Sequence, residues 1–201
     1  MADREKDKGK ISRREFIAGA GTLLVIGAVP NIAVSATATI KKANQKLLEG
    51  VPVSSVIVHD PDLCAGCGVC GLMCAFVHEK EYGPSLSRNE LIRDPFNGIY
   101  TFLVCQQCTS PDCYFACLNK DKALCVDKKS GVKYVNTAEC VGCGACTKAC
   151  RFSPPRANVH PIKKVSFKCD LCRGRVEGPV CVEYCTMKAL RLVPGKERGV
   201  A

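Results

Sequence analysis

The chain has 201 residues, of which 17 are Cys and none is Trp, and its formal net charge is +10. Aromatic residues make up only 6% of the chain, which argues against a large conventional hydrophobic core. Small cores need staples, so the cysteines must supply disulfides or metal sites. The positive charge is spread along the chain with no run of five basic residues, which argues against a nucleic-acid partner.

The first 38 residues have the pattern of an export signal. Residues 1–15 are rich in charge, whereas residues 16–38 contain no charged side chain. At the junction, Arg13 and Arg14 precede Phe16 and Ile17, which resembles the twin-arginine signal. We expect residues 1–38 to be cleaved during export to the periplasmic face and residues 39–52 to form a linker. An uncleaved membrane anchor is the alternative, because the uncharged stretch is long enough to span a bilayer.

Sixteen of the cysteines fall into four groups of four. The groups are Cys64, Cys67, Cys70, Cys74; Cys105, Cys108, Cys113, Cys117; Cys140, Cys143, Cys146, Cys150; and Cys169, Cys172, Cys181, Cys185. The first and third groups share the spacing x2, x2, x3, while the second has x2, x4, x3 and the fourth x2, x8, x3. Repetition of this kind indicates one structural unit that is used several times.

This spacing is typical of [4Fe–4S] clusters. Three sulfurs of such a loop bind one cluster, and the last cysteine, one helical turn further on, faces away and binds the other cluster of a pair. Gly66, Gly68, Gly142 and Gly144 suit these loops, because the backbone must approach the cluster and Gly tolerates positive φ. Zinc knuckles are paired at wider separation, and disulfides would not require four copies of one tight run. We therefore predict four [4Fe–4S] clusters, with Cys125 left over as a buried structural thiol.

The remaining sequence predicts an α+β fold with short elements. Strands are predicted at residues 53–58, 100–104, 123–127, 132–136, 165–168 and 189–193. Residues 128–131 read as a hairpin turn. Short helices are predicted to carry the last cysteine of each group. No nucleophile–base pair or paired carboxylates stand out, so we predict a non-catalytic subunit, and we expect His59, His78 and His160 to be structural or surface residues.

Residues 53–194 resemble the four-cluster iron–sulfur subunits that accompany molybdenum and tungsten oxidoreductases such as dimethyl sulfoxide reductase and formate dehydrogenase. The resemblance is carried by Cys105, Cys108 and Cys113 with Pro111 between them, and by Lys168 directly before Cys169. It implies two ferredoxin-like modules, one inserted in the other, and four ligand sets. These sets are Cys64, Cys67, Cys70 with Cys185 (cluster 1); Cys169, Cys172, Cys181 with Cys74 (cluster 2); Cys105, Cys108, Cys113 with Cys150 (cluster 3); and Cys140, Cys143, Cys146 with Cys117 (cluster 4). Residues 195–201 would form a tail.

The resemblance also implies a function. The chain would carry electrons between a catalytic molybdopterin- or tungstopterin-type subunit and a quinone- or cytochrome-bearing membrane subunit, or another carrier. A free polyferredoxin that serves several partners is the first alternative. A cluster-bearing assembly or sensing protein is the second.

Overall fold

The computed structural model describes residues 48–195. The predicted signal at residues 1–38 lies outside the described residues, as do residues 39–47 of the predicted linker and 196–201 of the tail. Within residues 48–195, no helix is both long and apolar enough to cross a membrane.

The described residues form short strands and helices joined by long loops. In chain order these are β1 (Val56–His59), α1 (Val69–Glu79), a 3-10 turn (Pro84–Leu86), β2 (Glu90–Asp94), β3 (Ile99–Leu103), α2 (Asp112–Phe115), β4 (Leu124–Val126), β5 (Lys133–Val135), α3 (Ala145–Lys148), β6 (Ala157–Val159), β7 (Ser166–Lys168), α4 (Val180–Glu183) and β8 (Leu190–Val193). The strands pair as four antiparallel ribbons, β1–β8, β2–β3, β4–β5 and β6–β7. This mixed content of helix and strand agrees with the predicted α+β class.

The two ends of the described chain meet in one ribbon. In the β1–β8 ribbon, Val56 lies opposite Val193 and His59 opposite Leu190. Helix α1 packs against α4, and α2 packs against α3. Residues 48–195 therefore contain two helix pairs, one made from the outer segments of this range and one from its middle.

Cysteines form much of the buried interior. One core combines Ile57, Phe102 and Val104 with buried sulfurs, including those of Cys70 and Cys169. A second, smaller core holds Tyr114, Leu124 and Ala157 around Cys146. Isolated two-stranded ribbons are marginal in water, so the small apolar cores depend on whatever binds these sulfurs.

The predicted elements are largely present, with one correction. The β4–β5 hairpin confirms the turn predicted at residues 128–131, since Leu124 pairs with Val135. Strands β2 and β6 were not predicted. The prediction that each helix carries the last cysteine of its group is wrong for three groups: only α1 contains its last cysteine, Cys74. Helices α2, α3 and α4 contain the third cysteine and end two residues before the last one.

Candidate metal centres

Three cavities are each lined by four cysteines. One contains Cys64, Cys67, Cys70 and Cys185. Another contains Cys105, Cys108, Cys113 and Cys150, and the third contains Cys117, Cys140, Cys143 and Cys146. Each cavity thus combines three cysteines of one group with the last cysteine of another.

The remaining four cysteines are buried close to one another. Cys74, Cys169, Cys172 and Cys181 are all less than 9% exposed. Burial is the main cause that raises the pKa of Cys169, Cys172 and Cys181, and the charge of Cys74 raises each of them further. Cys74 lies on α1, which packs against α4, the helix that contains Cys181.

The four cysteine loops share one backbone feature. The residue two places after the first cysteine has positive φ in every group: Gly66 at 66°, Gln107 at 46°, Gly142 at 66° and Leu171 at 57°. A non-Gly residue with positive φ is uncommon and costs about 1–2 kcal/mol. The same turn in four loops of different sequence indicates a common requirement to wrap the chain around a body that the sulfurs face. The glycines predicted this turn in two loops, whereas Gln107 and Leu171 gave no such indication.

Backbone amides point at several sulfurs. Arg88 N–H donates to Cys74 Sγ at 3.4 Å and Arg156 N–H donates to Cys150 Sγ at 3.2 Å. Ser166 N–H lies 3.3 Å from Cys140 Sγ, and Leu171 N–H lies 3.4 Å from Cys169 Sγ. Donors to sulfur stabilise the thiolate and tune the potential of a cluster that the thiolate binds.

Burial keeps the thiols in the protonated form unless a cation compensates. It raises the pKa of Cys70 to about 11 and that of Cys113 to about 12. Because iron binds thiolates, loading these sites must release protons, and the positive charge of the iron must offset the cost of burying the sulfurs.

Buried sulfur donors, apolar cavity walls and amides aimed at sulfur together fit [4Fe–4S] clusters. Across residues 48–195, the structure contains no group of three or more His, Cys, Asp and Glu side chains arranged to hold a single metal ion. When bound, a [4Fe–4S] cluster accepts and releases one electron at a time.

The histidines and Cys125 only partly match their predicted roles. His160 is buried and structural, since its Nδ1 accepts the N–H groups of Ile162 and Lys163. His78 has a contact that sequence reasoning missed: its Nε2 lies 3.6 Å from Cys172 Sγ. Cys125 is half-buried rather than buried, and its Sγ donates to the backbone carbonyls of residues 121 and 122.

Cysteine-lined cavities between short ribbons and helices define an iron–sulfur protein of the ferredoxin type. In agreement, residues 96–194 match the family of the 4Fe-4S dicluster domain. The "Aliphatic sulfonate oxidoreductase, polyferredoxin-like subunit" of Pyrococcus furiosus is 38% identical over 148 residues, covering 72% of this chain and 80% of that protein. The protein NrfC of Escherichia coli K12 is 36% identical over 193 residues, covering 89% of this chain and 78% of NrfC. The electron transport protein HydN of the same organism is 28% identical over 154 residues, covering 67% of this chain and 85% of HydN.

The chain therefore belongs to the family of [4Fe–4S] electron-transfer proteins that includes polyferredoxin-like subunits, NrfC and HydN.

Proposed function

We propose that this protein is a non-catalytic subunit that carries electrons through four [4Fe–4S] clusters held by the sixteen cysteines of the four groups. Its partners would be a catalytic molybdenum or tungsten oxidoreductase subunit on one side and a quinone-linked membrane subunit, or another carrier, on the other. The observation that carries the proposal is the mixing of groups in the cavities. In each one, three cysteines of one group meet the last cysteine of another.

The pairing of the groups supports the nested arrangement that the resemblance implies. The first and fourth groups share a cavity through Cys70 and Cys185, and they lie on the chain segments joined by the β1–β8 ribbon. The second and third groups share the other two cavities and lie on the middle segment. We infer an inner two-cluster module inserted in an outer one.

The four ligand sets would lie in single file. Besides burial, the charge of Cys70 raises the pKa of Cys181, which relates cluster 1 to cluster 2. In the same way the charge of Cys105 acts on Cys169 and the charge of Cys146 acts on Cys113. We propose the order cluster 1, cluster 2, cluster 3, cluster 4. The sets at the two ends each include an exposed cysteine, Cys67 in cluster 1 and Cys143 in cluster 4, so electrons would enter and leave there.

The proposed location is the periplasmic face, reached by twin-arginine export. That route carries folded proteins, so the clusters can be assembled in the reducing cytosol before the chain is exported. This matters because exported cysteines otherwise tend to form disulfides.

Metal analysis of anaerobically purified protein tests the cluster content. We expect close to sixteen iron and sixteen acid-labile sulfide per chain. Zinc as the main metal, or iron sufficient for only two clusters, would refute the assignment.

The Cys74→Ala variant tests the exchange of ligands between groups. It should perturb the cluster held by Cys169, Cys172 and Cys181 and leave the one held by Cys64, Cys67 and Cys70 intact, as resolved by electron paramagnetic resonance. Cys125→Ala is the matched control, since Cys125 belongs to no ligand set. Loss of cluster 1 in the Cys74 variant would contradict the proposed pairing.

Purification from native membranes distinguishes two hypotheses, a subunit of an oxidoreductase complex and a free polyferredoxin. A pterin-containing subunit that remains bound through two chromatographic steps supports the first. Recovery of the chain alone, able to reduce several unrelated acceptors, favours the second.

A further inference from the structure

One of the three cysteine-lined cavities differs from the others in charge. The cavity of Cys105, Cys108, Cys113 and Cys150 is also lined by Lys133, Arg156 and Lys168. The other two cysteine-lined cavities in the described part of the chain have no Lys or Arg in their walls. Of these three cavities, that of the predicted cluster 3 is thus the one with cationic residues in its walls.

Lys168 is a buried ammonium ion beside this cavity. The residue is 3% exposed, and its Nζ donates to the carbonyl of Lys133 at 2.6 Å and to that of Cys169 at 3.4 Å. Both acceptors are uncharged, so these contacts leave the positive charge in place.

Arg156 approaches the same cavity from another direction. Its backbone N–H donates to Cys150 Sγ at 3.2 Å, and its guanidinium lies 5.7 Å from the ring of Phe152, which also lines the cavity. The Nε and Nη1 atoms of Arg156 are buried and have no hydrogen-bond partner in the structure. Buried donors normally find an acceptor, and the sulfides of a cluster in this cavity would provide one.

We propose that Lys168 and Arg156 raise the reduction potential of cluster 3 above those of clusters 1 and 4, so that an electron resides at this inner position rather than at either end of the row. The inference rests on the proposed four-cluster function. Reduction adds one negative charge to the cluster, and a nearby cation in a low-dielectric interior stabilises the reduced form more than the oxidised form. Each cation should change the ratio of reduced to oxidised cluster at a given potential at least tenfold, which corresponds to about 59 mV for one electron.

An anaerobic redox titration of the full holoprotein, followed by electron paramagnetic resonance, tests the proposal. Cluster 3 is identified as the spectrum lost in Cys108→Ala. In wild type it should be reduced at a higher potential than clusters 1 and 4. Lys168→Met should lower its potential by about 59 mV or more and that of cluster 2 by less, because Lys168 also contacts the carbonyl of Cys169. Arg156→Gln should lower the reduction potential of cluster 3 alone. Lys168→Arg keeps the positive charge, so cluster 3 should retain most of its wild-type potential in that variant.

The matched control is Lys128→Met, which removes an exposed lysine and should leave the reduction potential of every cluster unchanged. The inference is overturned if cluster 3 of the wild-type protein is reduced at a lower potential than clusters 1 and 4. It is also overturned if the potential of cluster 3 is unchanged in an iron-replete Lys168→Met or Arg156→Gln variant. If a variant loses iron, the order of the cluster potentials in the wild-type protein still tests the inference. If wild type itself lacks the spectrum assigned to Cys108, the four-cluster function fails instead.

Discussion

Gly142 lies in the loop of the third cysteine group. At this point the loop approaches the segment around Ser166, whose atoms contact two cysteine sulfurs. It has φ of 66°, and a Cβ built on it would lie 1.8 Å from the backbone oxygen of Lys164. Two residues beyond Lys164, the Ser166 N–H donates to Cys140 Sγ and the Ser166 hydroxyl lies 2.9 Å from Cys146 Sγ. Because a backbone carbonyl cannot rotate away, Gly142→Ala must displace one of two segments that surround the predicted cluster 4.

Gly98 provides a matched control for the Gly142→Ala variant. It also has φ of 66°, but a Cβ there would meet nothing within 4 Å. Positive φ costs about 1–2 kcal/mol in both variants, and overpacking adds about 1–3 kcal/mol at Gly142 alone. At roughly 2–4 °C per kcal/mol for a chain of this size, Gly142→Ala should unfold about 2–12 °C below Gly98→Ala.

The two variants should be compared by anaerobic thermal unfolding and iron analysis. Gly142→Ala should also lose about four iron per chain, the content of one cluster, while Gly98→Ala keeps all of its iron. Equal unfolding temperatures and equal iron in both would refute the view that the close approach of Gly142 to Lys164 shapes this site.

Three further changes have defined outcomes. Cys125→Ser should keep the full iron content, because Cys125 belongs to no ligand set; loss of iron on analysis would show that it binds metal. Burial opposes ionisation of Glu79, yet its contact with Lys163 holds the pKa of Glu79 below its ordinary value. Glu79→Gln should therefore lower the unfolding temperature at pH 7, where Glu79 is ionised in the folded and in the unfolded chain; an unchanged unfolding temperature contradicts this. Replacing Arg13 and Arg14 by Lys should leave cluster-loaded protein in the cytosol, and cell fractionation that finds it in the periplasm contradicts a signal of its own.

The spacing of the cysteines predicted that the last cysteine of each group would lie with three cysteines of another group, and the choice of partner group came from the resemblance. Neither indicated how each loop turns. Gly66 and Gly142 indicate positive φ because no other residue adopts it so readily. Gln107 adopts it as well, since its side chain is fully buried and accepts the N–H of Lys133 at 2.7 Å while donating to the carbonyl of Cys169 at 2.8 Å. These tertiary hydrogen bonds outweigh the local backbone preference, and only the folded structure reveals them.

Elements without a buried apolar face were the ones that sequence reasoning missed. Most residues of strand β2 are exposed, so it lacks the alternation of apolar and polar residues on which strand prediction depends. Strand β6 has three residues, of which two are exposed. Both are stabilised by their partner strands, β3 and β7, rather than by their own burial.

The residues that would bind the clusters and the residues that we expect to tune their reduction potentials lie at different places in the sequence. The cysteine spacing determines where sulfurs meet, and it is the same for the first and third groups. The charge beside a sulfur set comes from residues outside that set. Lys168 immediately precedes Cys169, a predicted ligand of cluster 2, yet its side chain lines the cavity of cluster 3. Strand β7 is buried along its whole length and ends at Lys168, and Cys169 follows it directly, so neighbouring residues would provide a cation to one site and a ligand to the next. In the sequence Lys168 stands out only as part of the resemblance, and the folded structure places it in the wall of the cluster 3 cavity.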